Sequence, residues 1–346
     1  MPGACGAHAT LRAAARRAAE RWLAASPLPA LLARGRGGAV ILAYHNVIPA
    51  GERVAGDRSL HLREEDFAAQ LDVLQRTCNV LPLNELMSPG DGRPRVALTF
   101  DDAYSGAAQA GVRELARRGL PATFFVVAGA AAGTHFWWDR MAGGNGLDAS
   151  LRAHALGSLG GRGDRILASA GEVGHEPTPG GVLHRAADVA LCPAPLPTAT
   201  NVSGMDLRAA TLPAHAAAAG DDELRAAARV PGITLASHGW SHADLAALRE
   251  DELRTELNDS LVSLRRRFGN AVIPWISYPY GRVSPAVVHA AREAGYRGGL
   301  RVEGGAVRRG DDPLALPRIN VPAGVSVDGF RLRARGWEVG RWRASW

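Results

Sequence analysis

The most constraining feature of this 346-residue sequence is the alternation of short, β-rich apolar runs with segments of helical periodicity. After the first apolar run, at 39–44, Phe67, Leu71 and Leu74 recur at helical spacing and follow an acidic first turn. Strands that alternate with helices predict an α/β fold with a mostly parallel sheet and helices packed outside it. The predicted strands cover 39–44, 96–100, 122–127, 233–237, 275–278, 296–300 and 314–320.

The helical pattern is strongest near the C-terminal half, where apolar spacing and terminal glycines predict helices over 253–268 and 284–294. The periodicity disappears between 139 and 230, apart from short helices expected near 206–218 and 222–229. We interpret 139–230 as an insertion or lid within one domain that spans 39–335. A basic N-terminal segment, 1–38, and a C-terminal tail, 336–346, flank this domain.

Composition excludes some chemistries. The formal net charge is +6, and all 40 basic residues are arginines. Because the chain has no lysine, Schiff-base catalysis and a Walker-type phosphate loop are excluded. The arginines are scattered, so no nucleic-acid partner is expected. No stretch has the roughly 18 apolar residues of a membrane span, although the basic N-terminus is a candidate for peripheral contact with a membrane surface.

Reactive side chains follow the predicted strand ends. His45 follows the first strand, Asp101 and Asp102 follow the second, His238 follows 233–237, and Tyr280 follows 275–278. In a β/α barrel the carboxyl ends of the strands form the rim on which active sites lie. We therefore expect these side chains to share one site.

Two of these motifs together suit a metal ion. His238 and His242 are four residues apart, so on one helical turn they would share a face. Two imidazoles and a carboxylate from Asp101 or Asp102 are a typical ligand set for zinc and for other divalent metals. The second aspartate would then be available as a proton acceptor.

At these motifs the chain resembles the polysaccharide deacetylases, the carbohydrate esterase family four with a NodB-homology domain. The matching residues are Thr99-Phe100-Asp101-Asp102, His238-Gly239-Trp240-Ser241-His242 and Tyr278-Pro279-Tyr280-Gly281. The resemblance covers about 39–138 and 231–335. It implies a distorted (β/α) TIM-like barrel with a long insertion, and hydrolysis of N-acetyl groups on an amino-sugar polysaccharide or oligosaccharide.

The resemblance also implies a role for each motif residue. Asp102, His238 and His242 would hold a divalent metal, with zinc the first choice, and Asp101 would be the general base. The backbone N–H of Tyr280 would help to bind the oxyanion.

The chain departs from the common family pattern at two positions. Ser277 stands where many members have an arginine, and the region around Arg318 lacks the histidine that often supplies the acid. His45, on the first strand, resembles the acid of the biofilm poly-N-acetylglucosamine deacetylase branch. We therefore predict that His45 is the general acid and that Arg318 orients Asp101. A rim histidine and a structural salt bridge are the alternatives.

Three tryptophans are candidates for sugar binding, because an indole face suits the apolar face of a sugar ring. Trp137 and Trp138 follow the third strand, and Trp240 lies between the two histidines. Packing within the core is the alternative for such residues.

Other functions remain open at the level of sequence. The same scaffold could hydrolyse a small amide or imide, or bind glycans without catalysis. A glycosidase is disfavoured, because Asp101 and Asp102 are adjacent rather than set across a bond. The family works mostly on envelope or exported polysaccharide, which suggests an extracytoplasmic location, yet no clear export signal is visible, so a cytoplasmic location stays open.

Overall fold

A computed structural model describes residues 15, 17–26, 39–88, 92–142, 146–169 and 212–337. Its strands form one large sheet and one small one, and every strand pair is parallel. The strands are β1 (Ala39–Tyr44), β2 (Asn46–Ile48), β3 (His61–Arg63), β4 (Asn79–Val80), β5 (Arg95–Phe100), β6 (Ala122–Val126), β7 (Ile233–Ser237), β8 (Val272–Ser277), β9 (Gly298–Leu300) and β10 (Ile319–Asn320).

The large sheet has the order β10-β1-β5-β6-β7-β8-β9, with β4 paired to the start of β5. At its two ends, the isolated bridge between Leu300 and Leu316 brings β9 near the chain that enters β10. The sheet therefore curls into a partly closed barrel. This confirms the predicted distorted (β/α) barrel.

Apart from the last helix, which follows β10, the helices lie between strands in sequence, as expected for parallel connections. They are α1 (Glu64–Thr77), α2 (Val112–Arg118), α3 (Trp137–Arg140), α4 (Ala149–Leu159), α5 (Gly163–Ser169), α6 (Asp221–Ala228), α7 (Glu250–Phe268), α8 (Pro285–Glu293) and α9 (Val327–Arg333). Within the described ranges, none combines the length and apolarity that crossing a membrane requires.

Alternate side chains of the strands build two separate cores. Leu42 and Leu98 belong to the larger core, together with helix residues such as Leu71. Their neighbours Ile41 and Ala97 belong to a smaller core with Phe125 and Ala236. Because successive strand side chains point to opposite faces of a sheet, the larger core is the layer beneath the helices and the smaller one fills the barrel interior.

The sequence located most of these elements but not all of their bounds. The last predicted strand, 314–320, is reduced to β10, because a 3₁₀ turn occupies Pro313–Ala315. The strands β2 and β3 were not predicted, since three residues are too few to show a period. The predicted helix near 222–229 is α6, and a 3₁₀ turn at Ala214–Ala216 lies within the predicted helix near 206–218.

The predicted domain boundaries stay predictions. Most of segment 1–38 and of the tail 336–346, and the 170–211 part of the insertion, lie outside the described residues. Peripheral membrane contact and cellular compartment are likewise untested predictions. The described start of the insertion packs on the barrel, because Arg152 of α4 forms a buried ion pair with Asp57.

Candidate metal and catalytic site

Three side chains that are distant in sequence converge at the carboxyl end of the sheet. Asp102 follows β5, and His238 and His242 follow β7. Asp102 Oδ1 lies 3.5 Å from His238 Nε2 and 3.3 Å from His242 Nε2. All three side chains are buried, and one potential ligand atom from each lies within 4.8 Å of the others.

His238 is prepared to act as a neutral ligand. Its Nδ1 lies 2.7 Å from the carbonyl oxygen of Ser277, and because a carbonyl only accepts, Nδ1 carries the proton. The lone pair on Nε2 therefore faces Asp102. Burial lowers the pKa of His238 to about 4, although Asp101 acts in the opposite direction. The imidazole is thus uncharged at neutral pH, as metal binding requires.

The residues present fit a divalent metal. Asp102 Oδ1 is fully buried and has no hydrogen-bond partner among the described residues. A buried carboxylate oxygen without a partner is costly. A cation held by Asp102, His238 and His242 would satisfy it, and one carboxylate with two imidazoles is a ligand set that zinc accepts.

Asp101 lies beside these ligands but points to a different partner. Arg318 Nη1 donates to Asp101 Oδ1 at 2.8 Å, and Arg318 Nη2 donates to Asp101 Oδ2 at 2.7 Å. Arg318 Nη2 also donates to Ser277 Oγ at 2.9 Å. Burial would raise the pKa of Asp101, but the charge and hydrogen bonds of Arg318 outweigh burial and hold this pKa well below its usual range. Asp101 is therefore ionised and fixed in orientation.

At position 277, where many family members have an arginine, this chain has a serine that contacts the arginine of another segment. Its hydroxyl leaves room for Arg318, which approaches Asp101 from the chain segment before β10. Its carbonyl orients His238. The predicted pairing of Arg318 with Asp101 is present in the structure.

His45 is buried at the end of β1, where it interacts electrostatically with Asp101, Asp102 and His242. Burial lowers its pKa, while the two aspartates oppose that change. A lowered pKa makes the protonated imidazole a stronger acid. The location suits the predicted general acid, and the role itself stays a prediction.

The site has an unusual backbone. Among the described residues, four non-glycine residues have a left-handed φ, and all lie in the site motifs or directly next to one. Such conformations are costly for residues with a Cβ and are found most often at functional sites. The residues are Asp102 (φ 66°), Ala103 (φ 50°), His242 (φ 60°) and Tyr280 (φ 58°).

This backbone corrects one prediction. His238 and His242 do not share a helical turn, since the chain between them is a loop that contains Gly239 at φ 79°. The loop itself brings the two rings to a centroid distance of 4.7 Å. The four-residue spacing therefore predicted correctly that His238 and His242 lie together, but the loop, and not a helical turn, brings them together.

The three tryptophans differ in exposure. Trp137 and Trp138 are only 4% and 2% exposed, so neither indole offers a face to a sugar in this structure. This corrects the expectation of a sugar platform at these two positions, and the alternative role in packing is the one observed. Trp240 is 38% exposed on the loop between the two histidines, and for this residue sugar binding stays a prediction.

The sequence analysis did not identify several residues that form a hydrogen-bond network next to the site. Tyr104 donates to Asp139 Oδ2 at 2.6 Å, and Trp138 Nε1 donates to the Tyr104 hydroxyl at 2.7 Å. The hydroxyl of Tyr280 donates to the carbonyl of Gly161, in the insertion, at 2.8 Å. In the sequence, the only indication of this network is that Asp139 directly follows Trp137 and Trp138.

Comparisons with known proteins point to one family of proteins. A sequence profile described as polysaccharide deacetylase matches residues 89–160 and 205–299, which include Asp101, Asp102 and both histidines. YxkH of Bacillus subtilis (strain 168), named as a candidate polysaccharide deacetylase, is 33% identical over 99 residues. That match covers 29% of this chain and 35% of YxkH, so it spans about a third of the relative.

Solved structures support the fold. The deacetylase PplD of Streptococcus pyogenes, solved in complex with acetate, has a TM-score of 0.53 at 17% identity and covers 84% of this chain and 95% of its own. IcaB from Ammonifex degensii has a TM-score of 0.54 at 16% identity, with 86% and 97% covered. The profile match identifies residues 89–160 and 205–299 as a polysaccharide deacetylase domain, and the solved structures show that the chain shares this fold.

Proposed function

We propose that this chain is a metal-dependent N-deacetylase that removes acetyl groups from an N-acetylated amino-sugar glycan. The observation that carries this proposal is the convergence of Asp102, His238 and His242 beside an ionised Asp101. The profile match supports an amide bond of an acetylated sugar as the substrate. Zinc is the proposed metal.

Asp102, His238 and His242 would hold the cation, leaving a position open toward the substrate. When bound, a divalent metal polarises the acetyl carbonyl and makes a nearby water more acidic. Asp101 then accepts a proton from the attacking water. Because its own pKa is low, Asp101 is a weak base, and its contribution lies in its fixed position and constant negative charge.

Two further groups complete the reaction. The backbone N–H of Tyr280 is the proposed donor to the oxyanion that develops on the acetyl oxygen. His45 is the proposed donor of the proton that the leaving amine requires. The exposed indole of Trp240 would lie against the apolar face of a sugar ring next to the site.

The direct test measures acetate release from N-acetylated oligosaccharides of several linkages and from a small N-acetyl amide. We expect release from at least one oligosaccharide, loss of release with a chelator, and recovery on addition of Zn²⁺ or Co²⁺. The matched control is Asp101→Asn, which should retain metal and lose activity. Release from the small amide alone would favour the small-substrate hydrolase, and glycan binding without release by the metal-loaded protein would favour a non-catalytic role.

A further inference from the structure

The two histidines of the site are oriented by different means. His238 donates from Nδ1 to a backbone carbonyl, the usual arrangement for a histidine that binds metal through its other nitrogen. His242 Nδ1 is buried and has no hydrogen-bond partner among the described residues. No hydrogen bond at Nδ1, on the side of the ring away from Asp102, therefore orients His242 in the described structure.

Two aromatic rings contact His242 instead. The centroid of its imidazole lies 4.6 Å from that of Trp138 at an interplanar angle of 49°. It also lies 4.6 Å from the ring of Tyr280, at 85°. We call Trp138 and Tyr280 the aromatic clamp. All three side chains are buried, so the clamp restricts rotation of the imidazole by packing alone.

Hydrogen bonds hold both rings of the clamp in place. Trp138 Nε1 donates to the Tyr104 hydroxyl at 2.7 Å, and that hydroxyl donates to Asp139 Oδ2 at 2.6 Å. Trp137 Nε1 donates to the Tyr280 hydroxyl at 3.2 Å, and that hydroxyl donates to Gly161 O at 2.8 Å. Each of the two adjacent tryptophans thus bonds to a different tyrosine.

Asp139 anchors the Trp138 side of the clamp. It is 1% exposed, and besides Tyr104 it binds the backbone N–H of Asp57 and His61 Nε2, each at 2.8 Å through Oδ1. Asn46 donates to His61 Nδ1 at 2.9 Å, which leaves Nε2 as the protonated nitrogen that donates to Asp139. The carboxylate therefore has partners on both oxygens and is rigid.

We propose that Asp139, acting through Tyr104 and the aromatic clamp, is a positioning residue that orients His242 for metal binding. This rests on the metal-binding role in the proposed function. This network, one side chain further from the metal, takes the place of the hydrogen bond that Nδ1 of His242 lacks. This also explains why Trp137 and Trp138 are buried, since Trp138 is part of the clamp and Trp137 donates a hydrogen bond to its other member, Tyr280.

The test is Tyr104→Phe, which keeps the ring and removes only the hydroxyl that joins Trp138 to Asp139. The dissociation constants for Zn²⁺ and Co²⁺ are measured by competition between metal-free protein and a chromogenic chelator. We expect binding to weaken about tenfold or more, the range for loss of a partner behind a metal ligand, and the visible spectrum of bound Co²⁺ to change. The matched control is Tyr44→Phe, whose buried hydroxyl donates to Gln70 at 3.0 Å on the helix-facing side of the sheet. It should bind both metals as the wild type does.

A second variant covers a failure of Tyr104→Phe to fold. Trp138→Phe removes the indole N–H while keeping an aromatic ring, and we expect it to weaken metal binding to a similar extent. The double variant should lose little more than either single one, because both break the same hydrogen bond. Wild-type affinity and an unchanged Co²⁺ spectrum in the folded variants would overturn this inference alone. A wild-type protein that binds neither metal would overturn it together with the proposed function.

Discussion

Arg318 binds both carboxylate oxygens of Asp101, and the two side chains are almost completely buried. A guanidinium that donates to both oxygens fixes the plane of the carboxylate as well as its charge. The favourable effect on folding is present above the ordinary pKa of an aspartate, near 3.9, and is lost as the pH falls toward the lower pKa of the folded state.

Replacing Arg318 with methionine should shift the acidic limb of the activity profile upward. Without the guanidinium, burial raises the pKa of Asp101, so the carboxylate protonates at a higher pH. We expect the acidic limb of kcat/KM to move by about one pH unit or more. The control is Arg333→Met, which removes another fully buried guanidinium, on α9, and should leave the limb in place.

Replacing His238 with alanine should strip the metal. The loss of one of three protein ligands leaves an incomplete site, so metal content after dialysis should fall well below that of the wild type. Elemental analysis of the purified protein measures this directly. His289→Ala, at an exposed position on α8, should retain metal. Full metal content in His238→Ala would contradict the ligand assignment.

Replacing His45 with alanine should reduce turnover without removing metal. Loss of a general acid typically lowers the rate by about 10² to 10⁴. An aryl acetate ester, whose phenolate leaves without a proton, should lose much less activity than an N-acetylated oligosaccharide. Equal losses on the two substrates would show that His45 does not protonate the leaving group.

The metal-free protein should lose stability as the pH falls from about 6.5 to about 4. In this window the unfolded chain binds a proton at His238 that the folded chain refuses, because burial lowers the pKa of the folded imidazole to about 4. The effect is on the order of 3 kcal/mol at most. Urea unfolding at several pH values in chelator measures the slope, which should be smaller in His238→Gln and unchanged in His289→Gln.

Replacing Trp240 with alanine should weaken substrate binding more than it slows catalysis. The indole is partly exposed beside the site but is not among the proposed metal ligands. We expect KM for oligosaccharides to rise severalfold, with small changes in kcat and in metal affinity. Trp22→Ala removes an even more exposed indole, from the helical residues 17–25 near the N-terminus, and should leave KM unchanged. A fall in kcat alone would argue against a sugar contact.

Much of the barrel could be predicted because parallel strands that are buried on both faces appear in the sequence as continuous apolar runs. The strands β1, β5, β6 and β7 begin or end within a residue of the predicted positions. Since the carboxyl ends of neighbouring parallel strands meet at one edge, the residues after β5 and β7 were expected to converge, and they do. The family motifs predict different roles for Asp101 and Asp102.

The parts that could not be predicted depend on contacts between distant segments or on local backbone geometry. The hydrogen bond from Tyr280 to Gly161 joins a motif residue to the insertion, 119 positions away. A periodic pattern does not indicate which loop residue takes a left-handed φ, so the sequence predicts a helical turn at His242 where the structure has a loop. The sequence makes Trp137 and Trp138 candidates for sugar binding because the exposure of a side chain is not visible in a sequence.

The left-handed residues set a condition for anyone who wishes to graft this chemistry onto another barrel. Copying Asp102, His238 and His242 onto ordinary strand–helix junctions would aim the side chains wrongly, since in this protein the backbone of Asp102 and His242 is itself turned into that region. A designer would have to transplant each loop whole, with the packing that compels its shape. The smallest transferable unit of this site is therefore a set of loops and their supports, and not a triad of side chains.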